Sequence, residues 1–130
     1  MKKTVKILAV LMGIFAVLLV SMYVKMDSDL KALAHYETDL SRTEDGIYRG
    51  KAETDFVKAE VEVEVSDHKI VRIELLKHDN GLGKKAEKIT EDMVRMNTVE
   101  VDAVSGATSS SQVIKSAVSD ALANGKKRIP

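Results

Sequence analysis

The chain opens with an uncharged, strongly apolar run of 18 residues, Ile7 to Val24, flanked by Lys6 and Lys25. As a helix it would reach roughly 27 Å, close to the ~30 Å hydrocarbon core of a bilayer. A cleaved secretory signal is the alternative. Its apolar region usually has about 7 to 15 residues and ends in an A-x-A-like site, which is missing at the end of this run. We therefore expect a retained transmembrane anchor within residues 1–26.

The residues around this run predict its orientation and its continuation. Lys2, Lys3 and Lys6 precede it, and because lysine is enriched on the cytoplasmic side, the rest of the chain is expected outside the membrane. Residues 27–45 carry part of a helical apolar stripe behind candidate capping residues, which predicts a solvated helical stalk. A turn at Asp45-Gly46 leads into the globular part, residues 46–130.

An alternation of apolar and charged residues predicts the sheet. From Val57 to Val65 every second residue is apolar and the others are charged, which places one strand face on a core and the other in water. A three-residue loop after it would pair Val63 with Val71 and Val61 with Ile73. Ile47 to Thr54 is a weaker first strand, in which Gly50 suggests a bulge.

Two segments have apolar residues at helical spacing. Lys84 to Asn97 is expected to bury Ala86, Ile89, Met93 and Met96. A last helix is expected from about Ser109 to Asn124, with Gly125 at its end. The predicted fold class is therefore α+β, a small antiparallel sheet packed with two helices and preceded by one transmembrane helix and a short helical stalk.

The composition of the chain excludes several kinds of site and partner. The chain has no cysteine, which excludes disulfides, thiolate metal sites and cysteine-ligated clusters. Its net charge is zero, but residues 1–26 hold four lysines and no acid, so the remainder has 16 basic and 20 acidic groups, a net charge of −4. An acidic domain argues against a nucleic-acid partner. No two of the three histidines have a metal-ligand spacing, so no metal site is expected.

The chemically distinctive stretch runs from Asp102 to Thr108 and leads into the last helix. Ser109 with Gln112 three residues later is a capping-box pattern, which explains those two residues. It does not explain Thr108, which stands behind the small residues Gly106 and Ala107. Free N–H groups and the positive end of the helix dipole would lie there, as in a phosphate or carboxylate site. On these grounds, capping and anion binding both remain open.

A second glycine-rich loop follows the predicted hairpin. Gly81 and Gly83 flank Leu82, which would let the backbone pass close to a flat group while the leucine covers it. An ordinary turn explains the glycines equally well. His78 stands at the start of this loop.

These residues carry a family resemblance. Asp102, Ser105, Gly106, Ala107 and Thr108 resemble the flavin-attachment motif of the FMN-binding domain family, a domain also found in the FMN-bearing extracytoplasmic subunits of sodium-pumping NADH:quinone reductase and Rnf complexes. The resemblance covers about residues 45–125 and includes the Gly-Leu-Gly loop. Two departures are His68, where the family usually has glycine, and Asn80, which replaces an acidic-Thr-Pro lead.

The resemblance implies that a flavin transferase esterifies the phosphate of FMN onto Thr108, with Asp102, Ser105, Gly106, Ala107 and Ser109 shaping and presenting the acceptor. The isoalloxazine would lie near Gly81, Leu82 and Gly83, with His78 at its edge. Together with the predicted anchor and its orientation, the resemblance implies a membrane-anchored extracytoplasmic electron carrier between donor and acceptor proteins, rather than a stand-alone enzyme. The alternatives are a membrane-anchored binding or structural module whose turn only caps a helix, and a reductase that holds FMN non-covalently.

Overall fold

The N-terminal apolar run forms one continuous helix, α1 (Lys2–Ala32), in the computed structural model, which describes residues 1–33, 36, 38–79, 84–125 and 127–128. By length and composition α1 could cross a membrane, a test that a signal sequence near the N-terminus also passes. The helix continues past the apolar run, and near its end Leu30 and Leu33 pack against the core of the domain. The beginning of the expected stalk therefore touches the domain.

The strands form one antiparallel sheet in the order β3-β2-β1-β4, from β1 (Gly46–Glu53), β2 (Lys58–Ser66), β3 (Lys69–Asp79) and the short β4 (Lys127–Arg128). The alternation in β2 is confirmed, since its inward valines are at most 1% exposed. On the outward face Arg72 bonds Glu64 at 3.2 Å and Glu74 at 2.6 Å. These two hydrogen bonds raise the pKa of the Arg72 guanidinium.

The hairpin between β2 and β3 closes with two residues rather than the expected three. Asp67 and His68 both have positive φ, 52° and 59°, as in the primed turns whose twist matches that of the strands they join. The Asp67 N–H donates to Asp45 at 2.8 Å, and the His68 ring lies 3.1 Å from the Leu40 carbonyl. Histidine therefore adopts a left-handed turn position here.

The predicted register of this hairpin is wrong. Val63 faces Ile73 rather than Val71, and Val61 faces Leu75. The two-residue turn shifts the pairing by one residue, and a bulge that leaves Val71 without a partner between the β3 residues that face Glu64 and Val65 shifts it by one more; a second bulge follows farther along. A bulge inserts one residue and shifts all later pairs. It also leaves Val71 45% exposed, although the residue is apolar.

The segment after the glycine-rich loop begins as a 3-10 turn (Lys84–Lys88) and continues as α2 (Ile89–Met96). Ala86, Ile89 and Met93 are fully buried as predicted, but Met96 is 59% exposed. It is the last residue of α2, because the chain turns there through Asn97 in the left-handed conformation. The turn removes Met96 from the buried stripe.

Helix α3 (Thr108–Asn124) packs across the inner face of β1 and β2. Gly50 makes this possible, because a Cβ at that position would overlap the Ala117 carbonyl and the Ala121 amide. The pairing of β1 with β2 is regular throughout, so the expected bulge at Gly50 is absent. The glycine instead provides close approach between helix and strand. The α+β fold class is confirmed.

Candidate functional site

The motif ahead of α3 folds into a tight turn. The Ala107 N–H donates to the Val104 carbonyl at 3.0 Å, and Gly106 takes a φ of 79° as the third residue of the turn. Such a position favours glycine because it lacks Cβ. Ser105 and Gly106 are exposed, whereas Ala107 points into the core and is 6% exposed. The turn thus presents its polar side to solvent.

One buried serine ties this turn to the helix. Ser111 Oγ accepts a hydrogen bond from the Val104 N–H at 2.9 Å and donates to the Ala107 carbonyl at 2.8 Å. Its side chain is fully buried. Sequence reasoning did not single out Ser111, although a serine four residues after the predicted turn is a known back-bonding position.

The predicted capping box is wrong. Helix α3 begins at Thr108, its N-cap is Ala107, and no side chain caps it. Ser109 is already the second helical residue, and its hydroxyl donates to Met26 Sδ at 3.7 Å instead. The physical reason is the turn at Gly106, after which the helix begins one residue earlier than expected. Ser111, rather than a capping side chain, anchors the turn to the helix.

Within the described residues, the first turn of α3 consequently has N–H groups that no capping side chain satisfies. The first N–H groups of any helix lack intrahelical partners, and an alanine N-cap has no oxygen to satisfy them. Thr108, the first helical residue, is exposed. Its hydroxyl therefore stands at the positive end of a 17-residue helix, where a negative group is favoured.

A lysine not predicted from the sequence lies over the same turn. Lys85 Nζ is 3.2 Å from the position that a Cβ on Gly106 would occupy. Lys85 belongs to the 3-10 turn that follows the glycine-rich loop. A side chain at Gly106 would crowd this ammonium group, so the glycine leaves a space beside a positive charge. No local pattern reveals a contact between residues 21 positions apart.

The remaining predicted site residues lie in two places. Asp102 is exposed and directly precedes the turn region, after the buried Val101. Gly81, Leu82 and Gly83 lie outside the described residues. His78 is on β3, where its side chain is 2% exposed and Nδ1 lies 3.2 Å from Glu87 Oε1. Ser105 to Ser109 thus form the turn and the first residues of α3, and the His78 side chain is buried beside Glu87.

A cavity of about 810 Å³ opens between the end of α1, the ends of β1 and β2, and α3. Tyr36, Thr54, Lys77 and Ser116 are among its lining residues, whereas Thr108 is not. Ser116 is eight residues beyond Thr108, or about 12 Å along a helix. The cavity and the Thr108 turn are thus at different positions along the same helix.

Comparison with known proteins identifies the family and the fold. The model of the FMN-binding domain family matches residues 50–123. No curated protein matches the chain. The crystal structure of the CPE2226 protein from Clostridium perfringens is similar with a TM-score of 0.54 at 20% identity, over 68% of this chain and 95% of that chain. This likeness shows the fold, while the family match covers more than half of the chain and includes the whole turn and Thr108. The chain belongs to the FMN-binding domain family.

Proposed function

We propose that this protein is a membrane-anchored flavoprotein that carries FMN as a phosphoester on the Thr108 hydroxyl and works as an electron carrier. The observation that carries the proposal is the uncapped first turn of α3 with Thr108 exposed at its start. A helix built only for stability would gain from a capping side chain there. The family match supports FMN as the cofactor.

The residues around Thr108 fit a phosphate. The free N–H groups of the first turn and the helix dipole favour an anion. The Lys85 ammonium, beside Gly106, would add a charge-assisted contact. Gly106 keeps the approach open because it has no side chain, and Ser111 fixes the turn from the inside. These groups would hold the phosphate without requiring a conformational change in the described residues.

Attachment forms one bond, between Thr108 Oγ1 and phosphorus. The hydroxyl must lose its proton, and the phosphorus must lose a leaving group. A donor with a pyrophosphate linkage, such as flavin adenine dinucleotide, supplies this leaving group as AMP, so no water has to be expelled. We assign this chemistry to a separate flavin transferase, which removes the proton and supplies the metal ion. The Thr108 turn is its acceptor.

Electron transfer is the chemistry that bound FMN supplies. The contribution of the chain is to attach it, orient it and keep it at one place on the membrane. A covalent bond suits an extracytoplasmic site, where a dissociated cofactor would be lost. The proposed topology places the N-terminus in the cytoplasm and the domain outside, with redox donor and acceptor proteins as partners.

Covalent attachment is tested by co-expressing the chain with a flavin transferase. After denaturation we expect flavin fluorescence in the gel and an intact mass increased by one FMN less one water. Thr108→Ala should abolish both signals, whereas Ser109→Ala, which removes the neighbouring hydroxyl, should keep them. A label that survives Thr108→Ala would contradict the assignment.

The topology is tested separately. Because the natural chain has no cysteine, Ser66→Cys at the exposed end of β2 provides a single reactive thiol. A membrane-impermeant maleimide should label it in intact cells. Labelling only after the cells are broken would contradict the extracytoplasmic placement.

A further inference from the structure

The helix that carries the membrane anchor docks on the end of the domain where Thr108 lies. Lys25, the first residue after the apolar run, bonds Asp55 with an Nζ–Oδ2 distance of 2.6 Å. The next residue, Met26, accepts the hydrogen bond from Ser109. One turn later Leu30 reaches the core. These contacts join α1 to the turn between β1 and β2 and to the first turn of α3, so they bring the anchor and the Thr108 turn together.

The helix geometry sets the height of these contacts above the bilayer. The apolar run ends at Val24, and Met26 is about 3 Å farther along the helix axis. The polar headgroup layer of one leaflet is roughly 5 to 7 Å thick, half the difference between the full bilayer and its hydrocarbon core. Asp55 and Ser109, in contact with Lys25 and Met26, therefore lie at headgroup level when α1 spans the membrane.

An exposed aromatic residue stands at the same level. Phe56 is 44% exposed in the turn that joins β1 to β2. The Thr54 N–H donates to the Val57 carbonyl at 2.7 Å, and Thr54 Oγ1 accepts from the N–H groups of Phe56 and Val57 at 3.3 and 3.1 Å. The turn is thus internally bonded and holds the aromatic ring outward, which suits the membrane–water interface.

Lysines offset most of the negative charge at this end of the domain. Three lysines pair with four carboxylates at N–O distances from 2.6 to 3.8 Å, Lys25 with Asp55 and Asp29, Lys31 with Asp27, and Lys58 with Glu53, and Asp102 near the Thr108 turn is exposed. Because a small net negative charge remains, contact with the lipid surface has to come from the anchor and the Phe56 ring rather than from attraction to anionic lipids.

We propose that the Thr108 end of the domain rests on the lipid surface, with the Phe56 turn in the headgroup layer. The occupant of this surface is the bilayer that α1 crosses. The inference depends on the membrane-spanning part of the proposed function and is independent of the flavin. Its consequence for the proposed function is that an FMN attached at Thr108 would exchange electrons at the membrane surface, not at the free end of a stalk.

The opposite end of the sheet provides a matched control. The β2 strand has nine residues and is therefore about 30 Å long. Lys58 begins it near the Phe56 turn, and Ser66 ends it at the hairpin. Both are exposed, so a label at either position samples the surroundings and not the core.

The experiment uses the full chain in liposomes of phosphatidylcholine and phosphatidylglycerol. Nitroxide labels on Phe56→Cys, Lys58→Cys and Ser66→Cys report collision with oxygen, which concentrates in lipid, and with a water-soluble nickel chelate. Phe56→Cys removes the aromatic ring that is proposed to contact lipid. Lys58→Cys keeps this ring, so its label reports the lipid contact of the intact turn. We expect the ratio of oxygen to nickel accessibility to be several-fold higher at positions 56 and 58 than at 66. Equal, water-like ratios at all three positions would overturn the proposal.

Two controls separate this inference from the proposed function. Resistance to carbonate extraction tests the anchor, and release of the chain from membranes would overturn both. If the chain resists extraction but the labels are water-like, only the lipid contact fails. Insertion of ten Gly/Ser residues after Lys25 should make positions 56 and 58 water-like while membrane retention is unchanged. An unchanged ratio would show that docking of α1 does not set the contact.

Discussion

Two regions of α3 differ sharply, although they belong to the same helix. In its middle, the backbone of Ala117 and Ala121 lies so close to Gly50 that no side chain fits between them. At its first turn, Thr108 is exposed, the N-cap has no capping side chain, and Gly106 leaves space beside Lys85. The middle is fixed by packing, and the first turn is left open.

The middle of α3 and its first turn have different roles. Tight packing in the middle positions α3 on the sheet and needs no help from the first turn. The first turn is tied down from the inside through Ser111, so its outer groups do not have to stabilise the fold. That freedom leaves a hydroxyl and several donors available for chemistry.

The largest expected effect on stability comes from breaking the packed region. In Gly50→Ala the new methyl overlaps backbone atoms of α3, which cannot move aside like a flexible side chain. We expect the free energy of unfolding to fall by about 1 to 3 kcal/mol, as in overpacked cores. Chemical denaturation followed by circular dichroism measures it. Gly13→Ala, in open space on α1, should leave domain unfolding unchanged.

Loosening the open region from the inside should have an intermediate effect. Ser111→Ala removes both bonds to the turn and leaves the Val104 N–H and Ala107 carbonyl short of one partner each. We expect about 1 to 3 kcal/mol of destabilisation, together with slower flavin attachment. Ser110→Ala is the control, because Ser110 is also buried and its hydroxyl has no hydrogen bond within the described part of the chain. Equal effects of the two variants would contradict the role of Ser111.

The smallest expected effect comes from the charge beside the turn. Lys85→Ala should slow flavin attachment about two- to fivefold, since one exposed charge contact contributes modestly. Stability should be unchanged, and Lys85→Arg should restore most of the rate. Lys88→Ala removes a lysine from the same 3-10 turn as a control for net charge. A loss of stability without a change in attachment would contradict the contact proposed here.

Local sequence patterns predict the elements of this fold but not every contact between them. The alternation of β2 and the apolar spacing of α3 are local, so the sheet, the helix and the buried face were predicted correctly. The register of β3 depends on the length of its turn and on bulges, which no local pattern reveals. The predicted bulge at Gly50 is wrong because the sequence of β1 contains the glycine but does not reveal the helix that packs on it.

At the site, the predicted turn is confirmed and the predicted capping box is wrong, while the role of Thr108 stays a prediction. Ser109 and Gln112 have capping-box spacing, but the helix starts at Thr108 because Gly106 closes the turn earlier. Lys85 could not be found, since its contact joins separate elements. The phosphoester is a hypothesis that comes from the family resemblance, since spacing alone leaves capping and anion binding both open.

The most direct test of the central claim is to locate the flavin by peptide fragmentation. Trypsin releases residues 96–115 as one peptide, since no lysine or arginine lies between Arg95 and Lys115. After co-expression with a flavin transferase, the fragment series should place one FMN less one water on Thr108. The same mass on Ser105 or on any of the serines from 109 to 111, or an unmodified peptide, would contradict the account.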